Sequence, residues 1–169
     1  MGDFNGDGDV DVLWRQSSTG SLAVWLMNGA TIEASAAPTF NGNAVSPDSS
    51  WSVAGIGDFN GDGKADVLWR NTNGTLIDWT MNGSQITNEQ QVTFGGSPVS
   101  LSSSWQIAQI GDFNGSGASD ILLRNTNGAM EEWSMNGAQI ASSSQVTLQG
   151  NSATPSNAWT TLSKPTDFF

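Results

Sequence analysis

A nine-residue stretch of aspartate, asparagine and glycine returns three times, each time running straight into a short apolar segment. It reads Asp3-Phe4-Asn5-Gly6-Asp7-Gly8-Asp9-Val10-Asp11 before Val12-Leu13-Trp14-Arg15. It returns as Asp58-Phe59-Asn60-Gly61-Asp62-Gly63-Lys64-Ala65-Asp66 before Val67-Leu68-Trp69-Arg70. The third copy is Asp112-Phe113-Asn114-Gly115-Ser116-Gly117-Ala118-Ser119-Asp120 before Ile121-Leu122-Leu123-Arg124. Oxygen-bearing side chains fall at loop positions 1, 3, 5 and 9, and glycine at position 6 permits the sharp turn that folds them inward. Such a set suits a hard cation such as Ca²⁺, which takes six to eight oxygens and tolerates irregular geometry. Position 7 is Asp9, Lys64 or Ala118, as expected where only the backbone carbonyl points at the ion. The third loop carries Ser116 where the others carry Asp7 and Asp62, so it lacks one ligand charge and is expected to be the weakest site. An EF-hand is excluded: position 12 is Trp14, Trp69 or Leu123 rather than glutamate, and the segment after each loop has strand rather than helix character.

The 169 residues suffice for one compact domain. The formal net charge is −11, and nine of the 16 acidic residues sit inside the three loops. Two carboxylates about 5 Å apart at an effective dielectric near 20 repel by roughly 3 kcal/mol, so a bound cation is expected to stabilise the fold. Five basic residues offer no cluster for nucleic-acid phosphates. No apolar run approaches membrane-spanning length, so no membrane insertion is expected. Met1 leads directly into the first loop, so no signal peptide is expected in this sequence. Absence of cysteine, together with the millimolar calcium found outside cells, favours a secreted protein of bacterial type.

The loops are one part of a longer repeat. Trp51, Trp105 and Trp159 stand 54 residues apart, and the one extra residue of the first unit falls in the hairpin Gln16–Gly20. Each unit reads as four strands. These are Trp51–Ile56, Val67–Arg70 after the loop, Thr75–Met81 turned by Asn82-Gly83, and a fourth from near Ser84 on towards Phe94. A connector from Gly95 to Ser104 leads to the next unit. Four antiparallel strands in about 54 residues, repeated in tandem, describe an all-β chain of propeller blades. The units are about 2–50, 51–104 and 105–158, with a closing strand at 159–169. Propellers use about four to eight blades, so three require closure by oligomerisation. A two-fold dimer forming one six-bladed ring is expected, each chain's Trp159 strand completing the other's Asp11–Arg15 sheet.

Residues Gly57 to Leu68 resemble the FG-GAP/VCBS repeat of integrin α-subunit propellers and of many bacterial secreted proteins, and the resemblance covers nearly the whole chain. It implies a β-propeller holding Ca²⁺ in the hairpin between the first and second strands of a blade. On the matching positions the ligands are Asp3, Asn5, Asp7, the Asp9 carbonyl and Asp11. The second set is Asp58, Asn60, Asp62, the Lys64 carbonyl and Asp66; the third is Asp112, Asn114, the Ala118 carbonyl and Asp120, with Ser116 departing from the pattern. Related proteins include a propeller lectin that binds sugars between blades. Integrin-type members mostly have seven blades, from which a three-unit chain departs.

Catalysis has little to draw on, since histidine and cysteine are both absent and the loop carboxylates are committed. Asp78 and Glu132 share a repeat position and read as solvent-facing strand residues. The leading expectation is a non-enzymatic, lectin-like binding module. Eight tryptophans without a tyrosine suit stacking on the apolar faces of sugar rings. Candidate platforms are Trp14 and Trp69, whose third counterpart is Leu123, and Trp51, Trp105 and Trp159 between blades. Trp25, Trp79 and Trp133, each followed two residues later by methionine, read as packing between blades. Arg15, Arg70 and Arg124 read as structural hydrogen-bond donors to a neighbouring loop. The alternatives are a protein-binding adhesion or scaffold propeller, and a symmetric propeller fragment with structural calcium and no ligand of its own.

Overall fold

A computed structural model describes residues 1–156, 158 and 159, and among them every regular element is a strand. The first sheet is β1 (Val12–Arg15), β2 (Leu22–Asn28) and β3 (Thr31–Ala36), in that order and antiparallel. Two short strands come next, β4 (Thr39–Phe40) and β5 (Asn43–Ala44), and they leave the first sheet. The second unit is a meander of β6 (Trp51–Gly57), β7 (Asp66–Asn71), β8 (Leu76–Asn82) and β9 (Gln85–Gln91). After β10 (Thr93–Phe94) and β11 (Ser97–Pro98), the third unit repeats the plan. Its strands are β12 (Trp105–Gly111), β13 (Asp120–Asn125), β14 (Met130–Asn136) and β15 (Gln139–Gln145). A last hairpin, β16 (Thr147–Leu148) and β17 (Asn151–Ser152), stands as a sheet of two.

The four-strand blades hold in the second and third units, the first showing three strands, and the turn residues fall one place later than expected: Gly83 and Ser84 join β8 to β9. One strand differs more. The fourth does not run through to Phe94, because Val92 interrupts it, its N–H turning back to the Leu76 carbonyl. Thr93 and Phe94 then pair, parallel, with Gln139 and Ile140 of the next sheet. Thr39 and Phe40 do the same to Gln85 and Ile86. Each connector is thus an arm laid on the outer edge of its successor, and two of the sheets have six strands rather than four. The arm supplies hydrogen bonds to an edge that would otherwise present unpaired backbone groups. The expected closing strand at 159–169 lies, apart from an exposed Trp159, outside the described residues.

Apolar side chains on both faces of the middle sheet build two cores. Val67, Trp69, Trp79, Met81 and Ile86 pack with Phe4, Leu22 and Val24 of the first unit. Leu68, Leu76 and Val92 pack with Ile121, Leu123, Trp133, Met135 and Ile140 of the third, with Phe59 between them. The innermost strands, β6 and β12, come so close that a Cβ on Gly55 would lie 1.8 Å from Ile110 Cδ1. Face-to-face packing of successive four-strand meanders around their first strands is the blade arrangement of a propeller.

One glycine tests how tightly the connector is held. Gly74, in the β7–β8 turn, has φ +93°, and a Cβ there would lie 2.4 Å from the Leu101 carbonyl oxygen. That carbonyl belongs to backbone fixed by Leu101 N–H donating to Gly74 O at 2.8 Å. Gly74→Ala therefore meets both strain and a clash, and a thermal melt is expected to show a loss of ~2 kcal/mol or more.

Candidate functional site

The three aspartate loops share one fold, because each carboxylate at position 1 gathers the loop's own N–H groups. Asp3 Oδ1 accepts from Gly6 N–H at 2.6 Å and Asp7 N–H at 3.2 Å, and its Oδ2 from Gly8 N–H at 2.8 Å. Asp58 and Asp112 repeat all three bonds within 0.2 Å. At position 3, Asn5, Asn60 and Asn114 each accept from the N–H two residues on. At position 5, Asp7 and Asp62 accept from the N–H of Asp9 and Lys64, and Ser116 Oγ takes the same role at 3.3 Å. Position 9 ties the loop to the sheet. Asp66 is fully buried and accepts from Phe59 N–H at 3.1 Å and Met81 N–H at 3.0 Å, as Asp11 and Asp120 do from their own counterparts.

Burial dominates the electrostatics here. Desolvation pushes the Asp66 carboxyl up to about 7, opposed by its two N–H donors and reinforced by Asp62 and Asp58. Asp11 is raised for the same first reason. Asp7 and Asp112, at the surface, are lowered, chiefly by the N–H groups of Asp9 and Gly117 respectively. The donors match a hard cation in type and in loop shape, being oxygens only, with glycines at positive φ in every loop. Their carboxylates are turned onto backbone N–H groups, and among the described residues no three acidic side chains gather as a metal cluster.

Arginine at the end of each second strand acts as the sequence suggests. Arg70 donates from Nη1 to the Trp105 carbonyl at 3.0 Å and from Nη2 to those of Leu101 and Ser102 at 2.9 Å each. Arg15 clasps Trp51, Pro47 and Asp48, and Arg124 clasps Trp159, Pro155 and Ser156, by the same scheme. The planar fork satisfies three connector carbonyls at once, which a lysine cannot do. Arg15 also lies 5.7 Å from the Trp69 ring, within cation–π range.

Between the first two sheets this clasp leaves a groove of about 240 Å³. It is lined by Trp51, Trp69, Trp79 and Ile77, with Glu89 and the connector residues Val45 to Pro47 at its mouth. Trp69 and Trp79 meet at 4.9 Å and 56°, and Trp69 Nε1 has no hydrogen-bond partner. Of the expected platforms, Trp51 and Trp105 are half-buried between units, while Trp14 and Trp159 are exposed. Trp69 is a correction: as a surface platform it fails, because the first unit covers it and it joins the core, as Leu123 does in the third sheet. Trp79 packs between blades as expected, and it also lines the groove. Neither Glu89 nor the Val45–Pro47 segment carries a local signal, since the groove joins two repeats. In the third sheet Glu131, at the register position of Ile77, accepts from Trp133 Nε1 at 2.9 Å and from Ser143 Oγ.

Asp78 is a second correction. It is buried rather than solvent-facing, its Oδ1 has no partner, and desolvation raises its carboxyl to about 8, with repulsion from Asp66 added. Glu132, its counterpart, is half-buried and accepts from Ser134 Oγ at 2.8 Å.

Tandem antiparallel meanders sharing one aspartate loop and one arginine clasp, with a tryptophan pair in the first two, define a repeat protein of the β-propeller class. The FG-GAP-like repeat matches residues 3–69 and again residues 58–123, so the chain belongs to that family. No curated protein and no solved structure matches it.

Proposed function

We propose that this chain is a non-catalytic, calcium-stabilised binding module that takes saccharides in the grooves between its blades. The observation that carries the reading is the groove between the first two sheets, where the half-buried Trp51 offers an indole face and the exposed Glu89 a carboxylate, the lining being completed by the buried Trp69 and Trp79. Flat indole faces suit the C–H faces of a sugar ring, and a carboxylate accepts from paired hydroxyls. A chain without histidine or cysteine, whose loop acids are bonded to backbone, has little for acid–base or nucleophilic chemistry.

Calcium enters as a structural ligand in the same proposal. Asp3, Asn5, Asp7, Asp11 and the Asp9 carbonyl would hold one ion, and the second and third loops would each hold one by the same positions. The ion would neutralise carboxylates that burial and mutual repulsion now penalise. Millimolar calcium outside the cell is the setting in which such loops fill, so we place the protein there.

A glycan array run with calcium and again with chelator tests the ligand, and tryptophan emission during titration locates it. Binding of several related sugars, weakened about tenfold or more by Glu89→Gln, is expected. Silence across the array in calcium would sink the lectin reading and leave a protein-binding scaffold. The metal is tested separately by thermal melts. Calcium at about 100 times its dissociation constant is expected to add ~2.7 kcal/mol per site, and chelator to remove it. Asp62→Ser, which copies the third loop, is expected to weaken one site by about tenfold. A melting temperature indifferent to calcium would refute the metal assignment.

A further inference from the structure

Each junction inside the chain is made by the same four contacts. A loop phenylalanine enters the next blade: Phe4 and Phe59 are both 0% exposed. The loop's carbonyls accept from that blade, Asp3 O from Ala65 N–H at 2.6 Å and Phe4 O from Gly83 N–H at 2.7 Å. Asp58 and Phe59 accept likewise from Ser119 and Gly137 at 2.6 and 2.7 Å. The arm then pairs with the outer strand, and the arginine clasps the connector.

The third unit has these parts formed too, but among the described residues its phenylalanine and its arm meet no further blade. Phe113 is 48% exposed. Among the described residues, strands β16 and β17 pair only with each other, and Leu148 is exposed. Arg124 already holds the connector in the posture of Arg15 and Arg70. At the opposite end, the first sheet presents the matching receptor. Trp14 is 49% exposed where Trp69 is 1%, and Ile32 is 44% exposed where Ile86 is 1%. Among the described residues the outer edge of β3 carries no arm, and Trp14 meets Trp25 at 5.0 Å and 57°, nearly the geometry of the buried pair.

We propose that a second copy of this chain docks head to tail, its β16–β17 arm lying parallel on β3 and its Phe113 entering the first sheet. The two internal junctions set the register: Thr147 faces Thr31 and Leu148 faces Ile32, as Thr39 and Phe40 face Gln85 and Ile86. The Asp112 and Phe113 carbonyls accept from the Val10 and Gly29 N–H groups of the other copy. The same contact used twice satisfies both ends of both copies, and a ring of two has a two-fold axis. Three blades per copy give six in a ring of two, within the range of about four to eight that propellers use, whereas three copies would give nine. The junction also completes a groove that one chain lacks, with Pro155 and Trp159 of one copy over Trp14 and Trp25 of the other.

Light scattering and native mass spectrometry of the 169-residue chain should return twice the mass of one chain. The sequence has no cysteine, so Thr31→Cys with Thr147→Cys reports the contact directly through a short bis-maleimide. A covalent dimer is expected in high yield. Ile32→Lys and Leu148→Glu each alter a side chain exposed in the single chain, so each should stay folded and weaken association at least tenfold, while the double variant recovers it. A folded monomer at micromolar concentration, an assembly of any other number, or a dimer that fails to crosslink would each overturn the proposal.

Discussion

Phe59→Ala is expected to cost the fold about 3–5 kcal/mol, read as a fall in the urea midpoint at fixed protein concentration. The ring sits in the core shared by the second and third sheets, among Leu68, Leu76, Ile121, Trp133, Met135 and Ile140. Removing it opens a cavity at the joint between two blades, where neither rigid sheet can collapse to fill the space. Phe113→Ala deletes the same atoms from the same loop position, yet Phe113 is half in solvent within the single chain. Its effect should lie in the concentration-dependent part of the stability alone. Equal losses in both variants at high dilution would contradict this account of the junctions.

Asp78→Val is expected to stabilise the protein at neutral pH. Asp78 faces Leu68 and Gln90 across the sheet, and the same register position in the first unit is the buried Val24, facing Leu13 and Ala36. Burial raises the carboxyl to about 8, so the folded chain keeps a proton that the unfolded chain releases near 4. With more protons bound in the native state, stability falls as pH rises through that window, by up to ~1.4 kcal/mol for each unit. Below pH 4 both states are protonated and the penalty disappears. The variant should therefore melt higher than the parent at pH 7.5, by ~2 kcal/mol or more, and the two should converge near pH 4. A gap that stays constant across that range would mean that the carboxyl is ionised in the fold.

The loops, the strands after them and the arginines are legible in the sequence because each is a local pattern repeated three times. Position 9 of the loop points inward in every copy, so Asp11, Asp66 and Asp120 can be read together. The arms are not legible. Thr39–Phe40 and Thr93–Phe94 are two residues each, too short to carry a period, and their partners lie one repeat away. Asp78 misleads because alternation along Leu76 to Asn82 describes one sheet with a wet face, whereas the second sheet is covered on both sides. Trp69 misleads for the same reason: its exposure is decided by the preceding repeat, not by its own strand. The groove draws on Pro47 and Trp51 as well as on Trp69, Trp79 and Glu89, a set that only the stacking of sheets brings together.

The arms carry a practical lesson for anyone who would cut or splice this chain. Homology spacing suggests excising from one tryptophan to the next, yet that segment leaves behind the two strands that finish its own sheet and takes away two that belong downstream. The physically self-contained piece of the middle blade runs from Thr39 to Gln91, offset from the sequence unit. Grafts, deletions and duplications made on that offset frame keep every sheet whole.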